Sequence, residues 1–187
     1  MGLDAVSEVA LVQIYFYIGG EYSDDGVAGH ILKHQMYVEK LSLLYSSNNC
    51  SDPIILTHRQ RQTALSFLNI PDGGISWSLQ FLEADHTVYI VDQFFCGRSA
   101  WAPYSGAIAP STYSAELTQQ HLTIPERYRL QPQTQVKMQW PSTGVTGEPV
   151  FDAFYSSNVQ FISNTTYQQR TVQPARAQLS DLLSNPV

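Results

Sequence analysis

The stretch from Pro53 to Ser99 constrains the fold more than any other part of this 187-residue chain. Pro53-Ile-Ile-Leu-Thr-His58 is a short apolar run rich in β-branched residues and bounded by polar sequence, and it reads as a strand buried on both faces. The turn signal Pro71-Asp72-Gly73-Gly74 follows, and Ile75, Leu79 and Leu82 then recur at helical spacing. Thr87-Val-Tyr-Ile-Val-Asp92 is a second buried strand, trailed by Gly97-Arg98-Ser99. Strand, helix, strand at this spacing is a βαβ unit, so the two strands are predicted to be parallel neighbours or close to it.

The flanks extend that sheet. Val9 to Ile18 is too short to span a bilayer and is led by Asp4 and Glu8 rather than Lys or Arg. It reads as a first core strand, not a targeting segment, and a cytoplasmic location is expected on that basis. Gly19-Gly20 is predicted to end it, with a turn at Ser23-Asp24-Asp25-Gly26 and a hairpin partner at Gln35–Leu41. Five prolines between Pro103 and Pro141 mark a long lid-like excursion from Trp101 to Gln139. Near the end, Val172, Ala175, Leu179 and Leu182 predict a helix capped by Asn164 or Thr165, and Pro174 is expected to end or kink it near Thr171.

The same residues resemble the front half of the α/β-hydrolase fold. In that family the first strand of the pair ends in His-Gly and the second in Asp-x-x-x-x-Gly-x-Ser; here the matching residues are His58 and Asp92, Gly97 and Ser99. Gln139-Trp140-Pro141 and Pro149-Val-Phe-Asp-Ala-Phe-Tyr155 resemble a smaller subgroup of these hydrolases. The resemblance implies one truncated α/β-hydrolase-like domain over residues 1–187, a sheet of about four strands in the order 1-2-4-3. The family's nucleophile lies in Gly-x-Ser-x-Gly after the next strand, and no such motif occurs in these residues. Arg59 also stands where the family has the glycine that brings an N–H to the oxyanion. Hydrolysis by a serine triad is therefore excluded for this sequence by itself.

Two kinds of function fit. In one, a non-hydrolytic enzyme or enzyme subunit of cyclase or isomerase type folds an apolar, natural-product-like substrate in the cleft. In the other, the chain binds or stabilises a partner, or forms a piece of a longer hydrolase. Ligands of open α/β sheets bind beyond the carboxyl ends of the strands, so His58, Arg59 and Arg98 are the candidate catalytic residues. The arginines would hold a carboxylate or delocalised oxyanion, and His58 would shuttle protons. Arg61, Phe94, Phe95, Trp101 and Trp140 are the candidate ligand contacts, with Tyr104 and Tyr113 adding to the aromatic content.

Composition narrows the partners. A net charge of −6 argues against nucleic acid, and no residue pattern calls for a cofactor. His30 and His34 lack a third ligand, so no metal is expected. Cys50 and Cys96 fall at opposite ends of neighbouring strands and are expected to stay unbridged. Asn49-Cys50-Ser51 and Asn164-Thr165-Thr166 match the glycosylation pattern, which matters only on a secretory route. Charged residues make up only 14% of the chain, which suits a broad interface. A protein partner or second copy, a distinct subunit being favoured, is expected to cover the open edge of the strand Pro53–His58.

Overall fold

The computed structural model describes residues 9–45, 51–100, 110–136 and 140–184. Strands β1 (Leu11–Asp24) and β2 (His30–Leu43) form a long antiparallel hairpin, with Leu11 opposite Leu43 and Asp24 opposite His30. Its turn is closed by Asp25, whose Oδ1 accepts from the backbone N–H groups of Val27, Ala28 and Gly29 at 2.8, 3.2 and 2.9 Å. Both strands outrun the sequence expectation, since β1 passes through Gly19-Gly20 instead of ending there. The glycines re-aim the strand: Gly19 has φ +72°, and a Cβ there would lie 2.9 Å from that of Ala175.

Strand β3 (Ser51–Thr57) leads through a 3-10 turn at Ala64–Phe67 to helix α1 (Trp77–Glu83), capped by Ser76 Oγ, and then to β4 (His86–Asp92). Ile75, expected on the helix, precedes it and is exposed. The sheet order is β1-β2-β4-β3, with β3 and β4 parallel as the βαβ spacing predicts. β4 is the central strand, fully buried from Val88 to Asp92. Val88 and Ile90 pack with Leu41, Ala64 and Leu82 on one face; Tyr89 and Val91 pack with Met36, Val38, Phe94 and Phe95 on the other. Each such aliphatic side chain contributes about 1.5–3 kcal/mol on burial.

The expectation that β3 is buried on both faces is corrected. Among the described residues it pairs with β4 alone, and Ile55 remains 40% exposed. Helix α5 (Thr165–Ser184) lies over β1 and β2 instead, leaving that face of β3 open. Asn164 Oδ1 caps α5 by accepting from Tyr167 N–H at 3.0 Å. Of the end or kink predicted near Thr171, the end does not occur: the helix runs through Pro174 to Ser184.

The segment read as an irregular lid carries short elements. Strand β5 (Pro110–Ser111) pairs with β6 (Phe161–Ile162), while α2 (Ala115–Thr118) continues into a π turn at Gln119–Thr123, and α3 (Pro125–Tyr128) follows. Helix α4 (Pro149–Ser156) then brings the chain back toward the loop after β3.

Candidate functional site

The loop that leaves β3 is fastened to the end of β4 by His58. Its Nδ1 donates to the carbonyl of Arg59 at 2.7 Å, and its Nε2 accepts from Gln93 N–H at 2.9 Å. Gln93 returns a side-chain hydrogen bond to the His58 carbonyl. Burial pushes the imidazole below its ordinary value, against the pull of the Arg59 carbonyl and of Asp92, 4.0 Å away. Burial prevails for a geometric reason: a protonated Nε2 would face the Gln93 N–H with a second N–H. His58 is therefore held neutral, with both nitrogens spent on backbone, as a clamp between strand ends.

Arg98 belongs to a different construction. Asp92, at the end of β4, accepts from Ala64 N–H at 2.6 Å and from Arg98 N–H and Nε at 3.0 and 2.8 Å. Arg98 also pairs with Glu39 and stacks over the Tyr37 ring at 4.0 Å. Both carboxylates are only 1% exposed, so Arg98 neutralises two buried charges. Gly97 permits the tight return, since a Cβ there would lie 2.7 Å from the Asp92 carboxyl and its φ is +53°. Ser99 Oγ ties the turn back, donating to the Asp92 carbonyl at 2.5 Å and accepting from Tyr37 N–H at 2.8 Å. The Asp-x-x-x-x-Gly-x-Ser pattern is thus the signature of a structural knot.

Arg59 and Arg61 face elsewhere. With Gln60, Gln62, Tyr113, His121 and Phe154 they line a cavity of about 460 Å³ beyond the end of β3. Arg59 is exposed, whereas Arg61 is 7% exposed, stacked over Tyr113 at 4.0 Å and donating from Nη1 to Thr118 Oγ1 at 3.3 Å. Its backbone is left-handed (φ +76°), a conformation that strains a long side chain. The turn is pinned by Val159 N–H donating to the Arg61 carbonyl at 2.7 Å.

Next to it lies an apolar cleft of about 530 Å³ between the loop after β3 and helix α4. Leu65, Leu68, Ile70, Trp140, Val150 and Phe154 supply its walls. Trp140 is set by a short relay: its indole N–H donates to Ser142 Oγ at 2.9 Å, and Ser142 donates to Glu148 Oε2 at 2.5 Å. Glu148 in turn caps α4 by accepting from Val150 and Phe151 N–H at 2.8 and 2.9 Å. Gln62 and Phe154 line both cavities, so the polar and apolar parts are neighbours.

Of the sequence candidates, the structure brings Arg59 and Arg61 together and places Trp140 in the adjoining cleft, while Arg98 stands apart. Phe94 and Phe95 are corrected from ligand contacts to core, buried beneath α5 with Tyr167. Trp101 and Tyr104 lie outside the described residues, as does Cys50; Cys96 is a free buried thiol. His34 shares a 3.2 Å hydrogen bond with Tyr167 Oη. Among the described residues no cluster of His, Cys, Asp or Glu could hold a metal, and no helix is long and apolar enough to cross a membrane. Sequence reasoning missed Glu39, whose neighbour Lys40 makes it read as an ordinary surface charge, and His121, which carries no local motif.

No family model matches the chain. It is 34% identical over 180 residues to Probable secreted lipase phiG of Fungal sp. (strain ATCC 74256), covering 95% of this chain and 44% of that protein. A solved structure described as a novel bacterial esterase superposes with a TM-score of 0.69 at 19% identity, covering 98% of this chain and 61% of that one. The chain therefore spans less than half the length of the curated relative it matches. Sheet order, the Asp92–Ser99 knot and these two likenesses together make this chain an α/β-hydrolase-like protein that covers part of the fold of its longer relatives.

Proposed function

We propose that the chain forms the substrate-binding part of a hydrolase-like protein and acts on an apolar substrate without breaking esters by itself. The apolar cleft at Trp140, beside the Arg59, Arg61 and His121 cavity beyond β3, carries this reading. An apolar body packs against Leu65, Val150 and Phe154, while a polar oxygen reaches the guanidinium groups. A cyclase or isomerase step would use Arg59 to stabilise an enolate-like oxygen. Proton transfer would fall to His121, because His58 has no nitrogen to offer. Titration with 1-octanol, followed by the tryptophan fluorescence that Trp140→Phe removes from the signal, tests the cleft. Saturable quenching that is lost in Val150→Asp is the expected result, and an unchanged signal in that variant overturns it.

The open edge of β3 and the greater length of both relatives favour a second reading of the same cleft. Further sequence or a distinct subunit would pair with β3 and supply the missing nucleophile. The cleft would then hold the acyl or alcohol arm of an ester, as the relative's name suggests for that protein.

A further inference from the structure

Arg61 is a buried cation with no counterion among the described residues. Among these no carboxylate pairs with it, the like-charged Arg59 lines the same cavity, and one donor of its five is spent on Thr118. Burial accordingly depresses its pKa. Arg98, by comparison, holds two carboxylates. A buried guanidinium left unpaired is disfavoured, and so is the left-handed backbone that places it.

A second group on the same wall is equally unsatisfied. Asn158 Nδ2 and Oδ1 are both buried, and neither has a hydrogen-bond partner among the described residues. Native folds rarely tolerate one such atom without a reason, and here there are two on one side chain. Asn158 and Arg61 line a small cavity of about 140 Å³, closed by Thr112, Tyr113, Tyr155 and Val159. Arg61 and Tyr113 also line the cavity that holds Arg59, and Gln62 and Phe154 line both that one and the apolar cleft. The three spaces are thus neighbours through shared lining residues, from the buried cation to the apolar wall.

We propose that Arg61 and Asn158 form the seat of a free carboxylate carried by the apolar ligand of the cleft. This rests on the reading of the cleft as a substrate site. The carboxylate accepts from the remaining guanidinium N–H groups and from Asn158 Nδ2, and its hydrocarbon arm passes Gln62 and Phe154 toward Trp140. A single guanidinium beside a neutral amide, in a space this small, matches one negative charge and two oxygens. That favours a monocarboxylate over a phosphate dianion.

Octanoate and 1-octanol, titrated calorimetrically into the 187-residue chain at neutral pH and low salt, test this directly. Octanoate is expected to bind at least tenfold tighter. Because Arg61 variants risk unfolding, the informative change is Asn158→Asp, which places a carboxylate of the same shape beside the guanidinium. It should weaken octanoate at least tenfold, leave octanol within twofold, and raise the melting temperature by pairing Arg61. Equal binding of the two probes by the unmodified chain overturns the carboxylate seat and leaves the cleft reading intact. An octanoate preference that survives Asn158→Asp also overturns it, placing the anion at Arg59. Failure of both probes to bind overturns the seat and the cleft together.

Discussion

Arg98 and His58 do different work from what their positions in the sequence suggest, and each has a measurable consequence. Replacing Arg98 by Ala leaves Glu39 and Asp92 buried and unpaired. Losing one partner of a fully buried pair costs ~3–5 kcal/mol; Arg98 is 36% exposed, and solvent screening lowers the expected loss to roughly 2–3 kcal/mol. Urea unfolding checks this, and a fully stable Arg98→Ala chain would return Arg98 to the status of a free surface group. For His58 the sign follows from its lowered pKa. The folded state holds the ring neutral while the unfolded ring protonates at about its ordinary 6.5, so unfolding takes up protons as pH drops. The contribution is complete above pH 6.5 and is lost as pH falls from there through the lower folded value. His58→Gln should flatten that slope in pH-dependent melting, although the variant is less stable throughout. Neither role was legible in the sequence, because both depend on which buried carboxylate or amide the fold brings within reach. Cys96 follows the same logic: burial, with Asp92 adding to it, pushes its thiol up to about 12.

At the level of elements, hydrophobic period located the strands well and the breaker residues poorly. The hairpin was predicted from apolar alternation, yet Gly19-Gly20 reads as an end and is instead a bend inside β1, forced by the close approach of Ala175 on α5. Pro174 misled in the same way. A proline inside a helix removes one hydrogen bond and clashes with the preceding turn, but the packing of Val172, Ala175 and Leu179 on the sheet outweighs that penalty. Pro174 is exposed, so no core packing depends on its ring. Pro174→Ala is therefore expected to stabilise the chain by about 1–3 kcal/mol, read as a higher melting temperature. A neutral or destabilising result would mean that the proline shapes α5 for its contact with β1. Trp140 shows what periodicity could not reach. Its place in the cleft depends on a relay through Ser142 to the Glu148 cap, so Glu148→Ala should weaken octanol binding severalfold by loosening both Trp140 and α4.

For the whole molecule, the sheet order was legible because the family resemblance implies it, and the parallel β3–β4 pair because a βαβ spacing requires it. The exposure of β3 was not, since a continuous apolar run reads as buried whichever chain supplies the cover. That conflict is the basis of the last prediction. Ile54, Ile55 and Leu56 suit a central strand, yet among the described residues β3 has a neighbour on one side only, and its outer N–H and C=O groups form an open template. Pro53 removes one donor at the start of that edge but leaves the rest of it unblocked. Exposed Leu65, Ile75 and Trp77 add apolar surface on the segment that follows. We expect the 187-residue chain to associate in solution, through a distinct subunit in its native setting and through itself when expressed by itself. Native mass spectrometry should show species heavier than one chain. Ile55→Lys, which charges the strand without touching the cleft, should shift them toward the monomer. A monodisperse single-chain species that binds octanol unaided would show that the edge of β3 needs no partner.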